Sequence, residues 1–447
     1  VNRDAGLTYA DAPCVAAYRR VRAGVPADAR QLGYGYNLYP CSAALERYLR
    51  TVVRQAQAHG RYAEYGTPAD LRERALFAEL LRAHLGVEVG AEAVWFTNGS
   101  TEAISVVMSY LSDRGTGVCL PLPSYYAFEQ AAARWGTTVL GHYRHDGTTR
   151  ATGSATARQA VVEILPNGVT GSLFAGPSGI RPDLTVIDLV FHIGRYRACG
   201  PTPAEAARDR LRGGLANMAL LMTPAKDLSL PGVRAGALIT ADAALAEHAR
   251  REQFVRYATL NPMISQLMLT YLLVLVVGQT SAGGGREPST AYRWARSRYA
   301  AHRVSPVPSW QTCAEISAHL TRMSGYFAAN LHRLERDASG LLALDEQLYP
   351  VAGYSSLPRL SVAAADPREV VAWVNTCGRE HHLKLNPAVL FGGDEHAWSS
   401  LYPGPRIRLN VSVPAEQLHA NLALLRHAAG ALDARPRSCE AAHARRT

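Results

Sequence analysis

The stretch Leu220–Thr240, LLMTPAKDLSLPGVRAGALIT, decides how this chain is read. An apolar run reaches Thr223 and Pro224, a lysine follows at 226, a Pro-Gly turn comes at 231–232, and a second apolar run starts after Arg234. Two buried strands joined by a polar turn is the simplest account. The lysine is unusual because only Lys226 and Lys384 are lysines among the 47 Lys and Arg residues, leaving 45 arginines. Arginine stays protonated and forms no imine, whereas a lysine amine can be deprotonated by its surroundings and attack a carbonyl. Lys226 is therefore a candidate Schiff-base nucleophile; the alternative is a lysine surviving by chance on a solvated loop.

Working outward, residues 90–240 alternate short apolar segments with amphipathic ones, as in a mostly parallel sheet covered by helices. AVWFT (93–97), GVCLPL (117–122), TTVLGHY (137–143), AVVEIL (160–165), LTVIDLVF (184–191), MALLMT (218–223) and AGALIT (235–240) read as seven strands. STEAISVVMSYL (100–111) and YYAFEQAAARW (125–135) read as helices between them. Before them, ALERYLRTVVRQAQ (44–57) has the pattern of one helix. TSAGGGREPST (280–290) marks a loop or insertion over 281–310. TCAEISAHLTRMSGYFAANLHRLERDASG (312–340) has the period of a long helix stopped by glycine. LPRLSVAAA, KLNPAVLFG and IRLNVSVP then read as strands of a smaller α+β unit. The division expected is an N-terminal segment (1–60) packing with the small domain, a large domain (61–280), the 281–310 loop, a small domain (311–432) and a frayed tail (433–447).

Composition narrows the function classes. With 447 residues and 48% hydrophobic content the chain is globular, and its formal charge of +10 comes from dispersed arginines rather than a basic block. Anionic small molecules suit that distribution better than nucleic acid. Seven cysteines include no CxxC pair and leave one unmatched in any disulfide scheme, which suits a reducing, cytoplasmic location. The most apolar run, Leu267–Val277, is too short to span a bilayer. No metal is expected, because the fifteen histidines show no HExxH-like spacing.

Several side chains stand out before any comparison. In TNGSTEAI (97–104), Gly99, Ser100 and Thr101 open a helix, where free N–H groups and hydroxyls suit a phosphate, although an ordinary helix cap has the same pattern. Asp188 lies within an apolar strand, where a carboxylate needs a cationic or hydrogen-bonding partner. Arg234 follows Lys226 by eight residues, across a turn that allows it to fold back, and Thr223 adds a hydroxyl.

TNGSTEAI, PLPSYYAF (121–128), VIDLVF (186–191) and TPAKDLSLPGVRAG (223–236), in this order and spacing, resemble the class I/II aminotransferases, fold-type I enzymes that use pyridoxal 5'-phosphate. YAEYGTPADLRERA (62–75) and IRLNVSVP (407–414) extend the resemblance over about residues 60–415. It implies an α/β fold with a large, mostly parallel seven-stranded sheet and a smaller α+β domain. It further implies Lys226 as the imine-forming residue, with Gly99, Ser100, Thr101, Thr223 and Arg234 around the phosphate. Asp188 is implied at the ring nitrogen, Tyr125 against the ring face, and Arg408 at the substrate carboxylate, with Arg406 as its competitor. Tyr62 or Tyr65 matches a tyrosine that reaches the phosphate from a neighbouring subunit, which implies a homodimer with a shared site.

Two departures mark a divergent member. The family's phenolate-binding asparagine falls in register with Gly168, one residue after Asn167, and the tyrosine that assists it is replaced by Phe191. Asn167 regains the contact if the loop is shifted, and His192 is a second substitute from the adjacent turn; Ala225 replaces a common serine. Loss of both donors would raise the imine pKa and alter how a carbanion is handled. The resemblance implies an enzyme that binds an L-α-amino acid as an imine and forms a Cα carbanion, aminotransferase-like and in specialised metabolism. The alternative is β/γ-elimination, replacement, cyclisation or annulation, for example on S-adenosylmethionine with a second, anionic substrate. A silent ligand-binding module is a further alternative.

Overall fold

A computed structural model describes residues 12–22, 24–60, 71–151, 158–194, 196, 200–256, 262–280, 287–362 and 367–433. Its centre is one eight-stranded sheet of Val94–Thr97 (β1), Thr116–Pro121 (β2), Val139–Tyr143 (β3), Thr149–Ala151 (β4), Arg158–Leu165 (β5), Leu184–Leu189 (β6), Met218–Met222 (β7) and Gly236–Thr240 (β8). The spatial order is β1-β8-β7-β6-β5-β2-β3-β4. β7, β6, β5, β2 and β3 run parallel, while β8 is antiparallel to both of its neighbours. The seven strands read from the sequence are all present. The eighth, β4, is a three-residue antiparallel edge pairing Tyr143 with Thr149. Its run TRA carries too little apolar signal to be read as a strand.

β2 and β6 are buried at every position, as a parallel strand covered on both faces requires. Ser100–Asp113 covers one face, and the apolar helix Pro262–Thr280 packs against Leu71–Leu85, Ala43–Ala58 and Trp310–Asp337. No helix among the described residues is long and apolar enough to cross a membrane. Within the stretch 281–310, read from the sequence as a loop or insertion, Thr290–Ala301 forms a helix, started by Ser289, whose side chain accepts from Tyr292 N–H. The glycine run dominates the sequence pattern there, but the three-turn amphipathic stretch behind it buries Tyr292, Ala295 and Tyr299. The expected tail lies almost wholly outside the described residues.

The C-terminal part pairs Ile407–Asn410 between Ser355–Ser356 and Asn386–Pro387, all antiparallel. The N-terminal segment joins this part: Arg30–Gln31 runs parallel to Leu383–Lys384, and Asn410 N–H donates to Leu32 O at 3.0 Å. From there residues 33–37 pass directly over the loop carrying Lys226, with Asn37 Nδ2 donating to Lys226 O at 3.0 Å. Three separate parts of the chain thus meet at the C-terminal ends of the parallel strands, where ligands bind in open α/β sheets.

Candidate active site

The turn from β1 into helix Ser100–Asp113 is built on two close approaches. Gly99 caps the helix with φ +80, a conformation that a side chain disfavours. A Cβ on Gly99 would lie 2.8 Å from Arg234 Nη2, and one on Gly236 would lie 2.8 Å from the Gly99 carbonyl carbon. Arg234 itself takes φ +56, which turns its guanidinium back across the turn, where Nη2 donates to Thr101 Oγ1 at 3.1 Å. Thr101 and Arg234 are both exposed. The first N–H groups of the helix, a hydroxyl and a guanidinium therefore converge on one open position, a suitable cradle for a phosphate. Thr223 is not open in this way: its hydroxyl donates to Ala235 O at 2.9 Å and accepts from Ala225 N–H at 3.3 Å, bracing the loop.

Lys226 Nζ donates to Gly35 O at 2.8 Å. Burial, with the cations Arg408 and Arg234 nearby, lowers its pKa to about 8, against an opposing pull from Asp188. The loop around it is anchored by its neighbour: buried Asp227 accepts from Tyr271 Oη and from His192 N–H. Burial pushes the Asp227 carboxyl up to about 7. Asp188 sits in β6, with Ile164 and Leu221 as its partners across the sheet. It is 2% exposed, burial raises its pKa to about 7, and its Oδ1 has no hydrogen-bond partner among the described residues. A buried carboxylate oxygen without a partner, placed where a lysine amine senses its charge, is the group a cationic ring nitrogen would satisfy.

Tyr125 caps the next helix and lies half-buried, with Oη 3.5 Å from Thr101 Oγ1. Arg408 stacks its guanidinium 4.6 Å from the Phe391 ring centre and donates from Nη2 to Gly33 O at 2.8 Å. Arg406 is buried and tied to Asp345, so of the two arginines Arg408 is the one beside the lysine. Tyr62 and Tyr65 lie outside the described residues.

The two departures have structural consequences. Asn167 is fully buried; its amide donates to Pro123 O at 2.8 Å while its carbonyl accepts from the backbone N–H of Val169 and Thr170. The carbonyl of this side chain thus holds its own turn, and an amide N–H holds the turn to Pro123. Phe191 is equally committed, buried edge-on against Tyr354 and over Gly353. His192 turns to His84, Nδ1 to Nε2 at 3.2 Å, and burial holds it neutral by lowering its pKa to about 3.

Sequence reasoning missed Gly35, Asn37, Asp227 and Tyr354. Asp227 stood in the open beside Lys226 within an otherwise apolar segment; the others come from distant segments, Gly35 191 residues and Asn37 189 residues from Lys226, whose approach no local pattern reports. Among the described residues no group of His, Cys, Asp and Glu is arranged to hold a metal, and Cys14, Cys41, Cys119, Cys313 and Cys377 are free.

Residues 30–153 match the family model for aminotransferase class I and II. No curated protein matches the chain in sequence. Among solved structures, an N-succinyldiaminopimelate aminotransferase from Mycobacterium tuberculosis aligns over 94% of this chain and 98% of its own at 17% identity and TM-score 0.63. A double mutant of the Thermus thermophilus aspartate aminotransferase aligns over 93% and 95% at 17% identity and TM-score 0.61. A Methanococcus jannaschii protein, described as similar in its active site to kynurenine aminotransferases, aligns over 92% and 94% at 14% identity and TM-score 0.62. Along nearly its whole length the chain therefore has the fold of these aminotransferases, and over residues 30–153 it is similar in sequence to aminotransferase class I and II.

Proposed function

We propose that this protein is a pyridoxal-phosphate enzyme of specialised metabolism that binds an L-α-amino acid and removes its Cα proton with Lys226. The observation that carries the reading is a lysine amine, lowered to about 8, within electrostatic reach of a buried aspartate whose Oδ1 has no partner among the described residues. When bound, the cofactor supplies an aldehyde and an electron-accepting ring. Ser100 and Thr101 N–H, the Thr101 hydroxyl and Arg234 would hold its phosphate, and Tyr125 would cover its ring. Asp188, buried on β6, would take the negative charge opposite a protonated ring nitrogen and so favour that proton. Arg408 offers a bidentate fork to an α-carboxylate close to Lys226, which orients the Cα hydrogen toward the amine. An amine titrating near 8 is partly neutral at physiological pH and so accepts that proton readily.

A second reading, elimination, replacement or cyclisation at the β or γ carbon, is favoured by one observation. Asn167 commits its carbonyl to its own turn and an amide N–H to Pro123 O, and Phe191 is apolar, so at most one N–H of Asn167 is left as a donor for the cofactor's phenolic oxygen. Incubation with a panel of amino acids that includes S-adenosylmethionine separates the two. Stoichiometric transfer of nitrogen to a 2-oxo acid supports transamination, release of a side-chain leaving group supports the second reading, and neither outcome with any amino acid would refute both. The dispersed arginines suit an anionic second substrate. A homodimer that shares its sites through Tyr62 or Tyr65, in a reducing cytoplasm, completes the proposal.

A further inference from the structure

The carbonyl of Gly35 accepts two hydrogen bonds from side chains far apart in sequence. Lys226 Nζ donates to it at 2.8 Å, and Tyr354 Oη donates to it at 3.3 Å. A carbonyl oxygen has two lone pairs, so the amine and the phenol together use its full accepting capacity. The phenol cannot readily turn elsewhere. Its ring stands edge-on to Phe191, centroids 5.5 Å apart, and to Phe327 at 6.2 Å. The backbone on either side is also fixed: Gly353 takes φ +81 and its carbonyl accepts from Tyr196 Oη, while Tyr354 O accepts from Val411 N–H at 2.8 Å. A Cβ on Gly353 would lie 2.4 Å from Phe191 Cε2, so the glycine is what allows the Phe191 ring to lie beside Tyr354.

We propose that Tyr354 is a positioning residue for the Lys226 amine, holding one lone pair of the Gly35 carbonyl so that the amine is kept in place but is not stabilised as an ammonium. This rests on the reading of Lys226 as the reactive amine. The charged and titratable groups around it come from several elements. Asp188 faces the amine from β6, Arg234 from the loop after Lys226, and Arg408 from Ile407–Asn410. Around the phenol stand Arg408, Asp227 and Tyr125. Burial pushes the Tyr354 phenol well above its ordinary range, so it remains a neutral donor wherever the amine titrates. An ammonium gains more from a carbonyl acceptor than a neutral amine does. A second donor on the same oxygen weakens that gain and so favours the neutral, nucleophilic amine. The site thus draws a phenol from a distant part of the chain while the nearby strand end carries phenylalanine at 191.

The test uses the two-lysine composition. The full-length protein, without added pyridoxal phosphate, is labelled with 13C at lysine Cε, which gives two signals assigned by Lys384→Arg. Lys384 donates to Ala27 O from a half-buried position and serves as an internal control. Tyr354→Phe keeps the ring contacts and removes only the hydroxyl. The Lys226 titration is expected to rise by about half a unit to one unit, with Lys384 unchanged. Site-specific 3,5-difluorotyrosine at 354, a stronger donor, is expected to lower it. If Lys226 titrates unchanged or lower in Tyr354→Phe while Lys384 and the thermal midpoint hold, the proposal is overturned. If Tyr354→Phe fails to fold, an unchanged or raised Lys226 midpoint with the fluorinated residue overturns it alone. Because no cofactor is present, this result is independent of whether Lys226 forms an imine.

Discussion

Replacing Asp188 with asparagine should make the cofactor-free protein more stable relative to wild type as the pH rises. The Asp188 carboxyl is buried, and its pKa is raised from the ordinary 3.8 to about 7 because burial disfavours the charge. A carboxyl whose folded pKa lies above its unfolded value binds more protons folded than unfolded between those limits. Its contribution is complete below about pH 4 and is lost as the pH climbs through about 7. Roughly three units at ~1.4 kcal/mol each make the ionised side chain cost about 4 kcal/mol at pH 8, and about two-thirds of this accrues above pH 5. Asparagine carries no charge, although leaving its amide partly unsatisfied costs about 1–3 kcal/mol at every pH. In urea unfolding, the stability of Asp188→Asn minus that of wild type should therefore increase by about 2–3 kcal/mol from pH 5 to pH 8. Added pyridoxal phosphate should recover stability in wild type and far less in the variant, since only the carboxylate gains from a ring cation. A difference independent of pH, or one that falls between pH 5 and 8, would refute the claim that Asp188 is held against its own charge.

Arg234→Ala should weaken pyridoxal phosphate binding by about 10- to 100-fold while leaving pyridoxal, which has no phosphate, unchanged in equilibrium dialysis; equal losses for both would remove Arg234 from the cradle. Gly353→Ala should lower stability by at least about 2 kcal/mol, because φ is +81 and the new Cβ meets Phe191; a thermal midpoint within a degree of wild type contradicts that packing. The initial rate at which the protein condenses with pyridoxal phosphate should rise through about pH 8, as the Lys226 amine loses its proton, and level off above it; a rate flat from pH 6 to 9 would mean the amine is not held at a lowered pKa.

Much of this was legible in the sequence, for a physical reason. The parallel strands are buried on both faces and therefore appear as continuous apolar runs, and Asp188 and Lys226 are conspicuous because they interrupt or terminate such runs. The Gly99 turn was legible because a helix opening needs glycine and hydroxyl residues where its N–H groups are free. What stayed hidden depends on contacts between distant segments. Nothing local to Thr223 or Asn167 reveals that the first braces Ala235 and the second its own turn and Pro123. Tyr354 is one of twenty-one tyrosines, and its value comes from a carbonyl 319 residues away. The short edge strand β4 and the helix Thr290–Ala301 were missed because few apolar residues mark the first and a glycine run masks the second.

On the proposed function, the Lys226 amine forms a reversible carbon–nitrogen double bond with pyridoxal phosphate. Borohydride reduction of the cofactor-saturated protein, followed by peptide mapping, measures this directly. One stoichiometric pyridoxyl group is expected on the peptide containing Lys226 and none on that containing Lys384; an unlabelled Lys226 would overturn the proposed function.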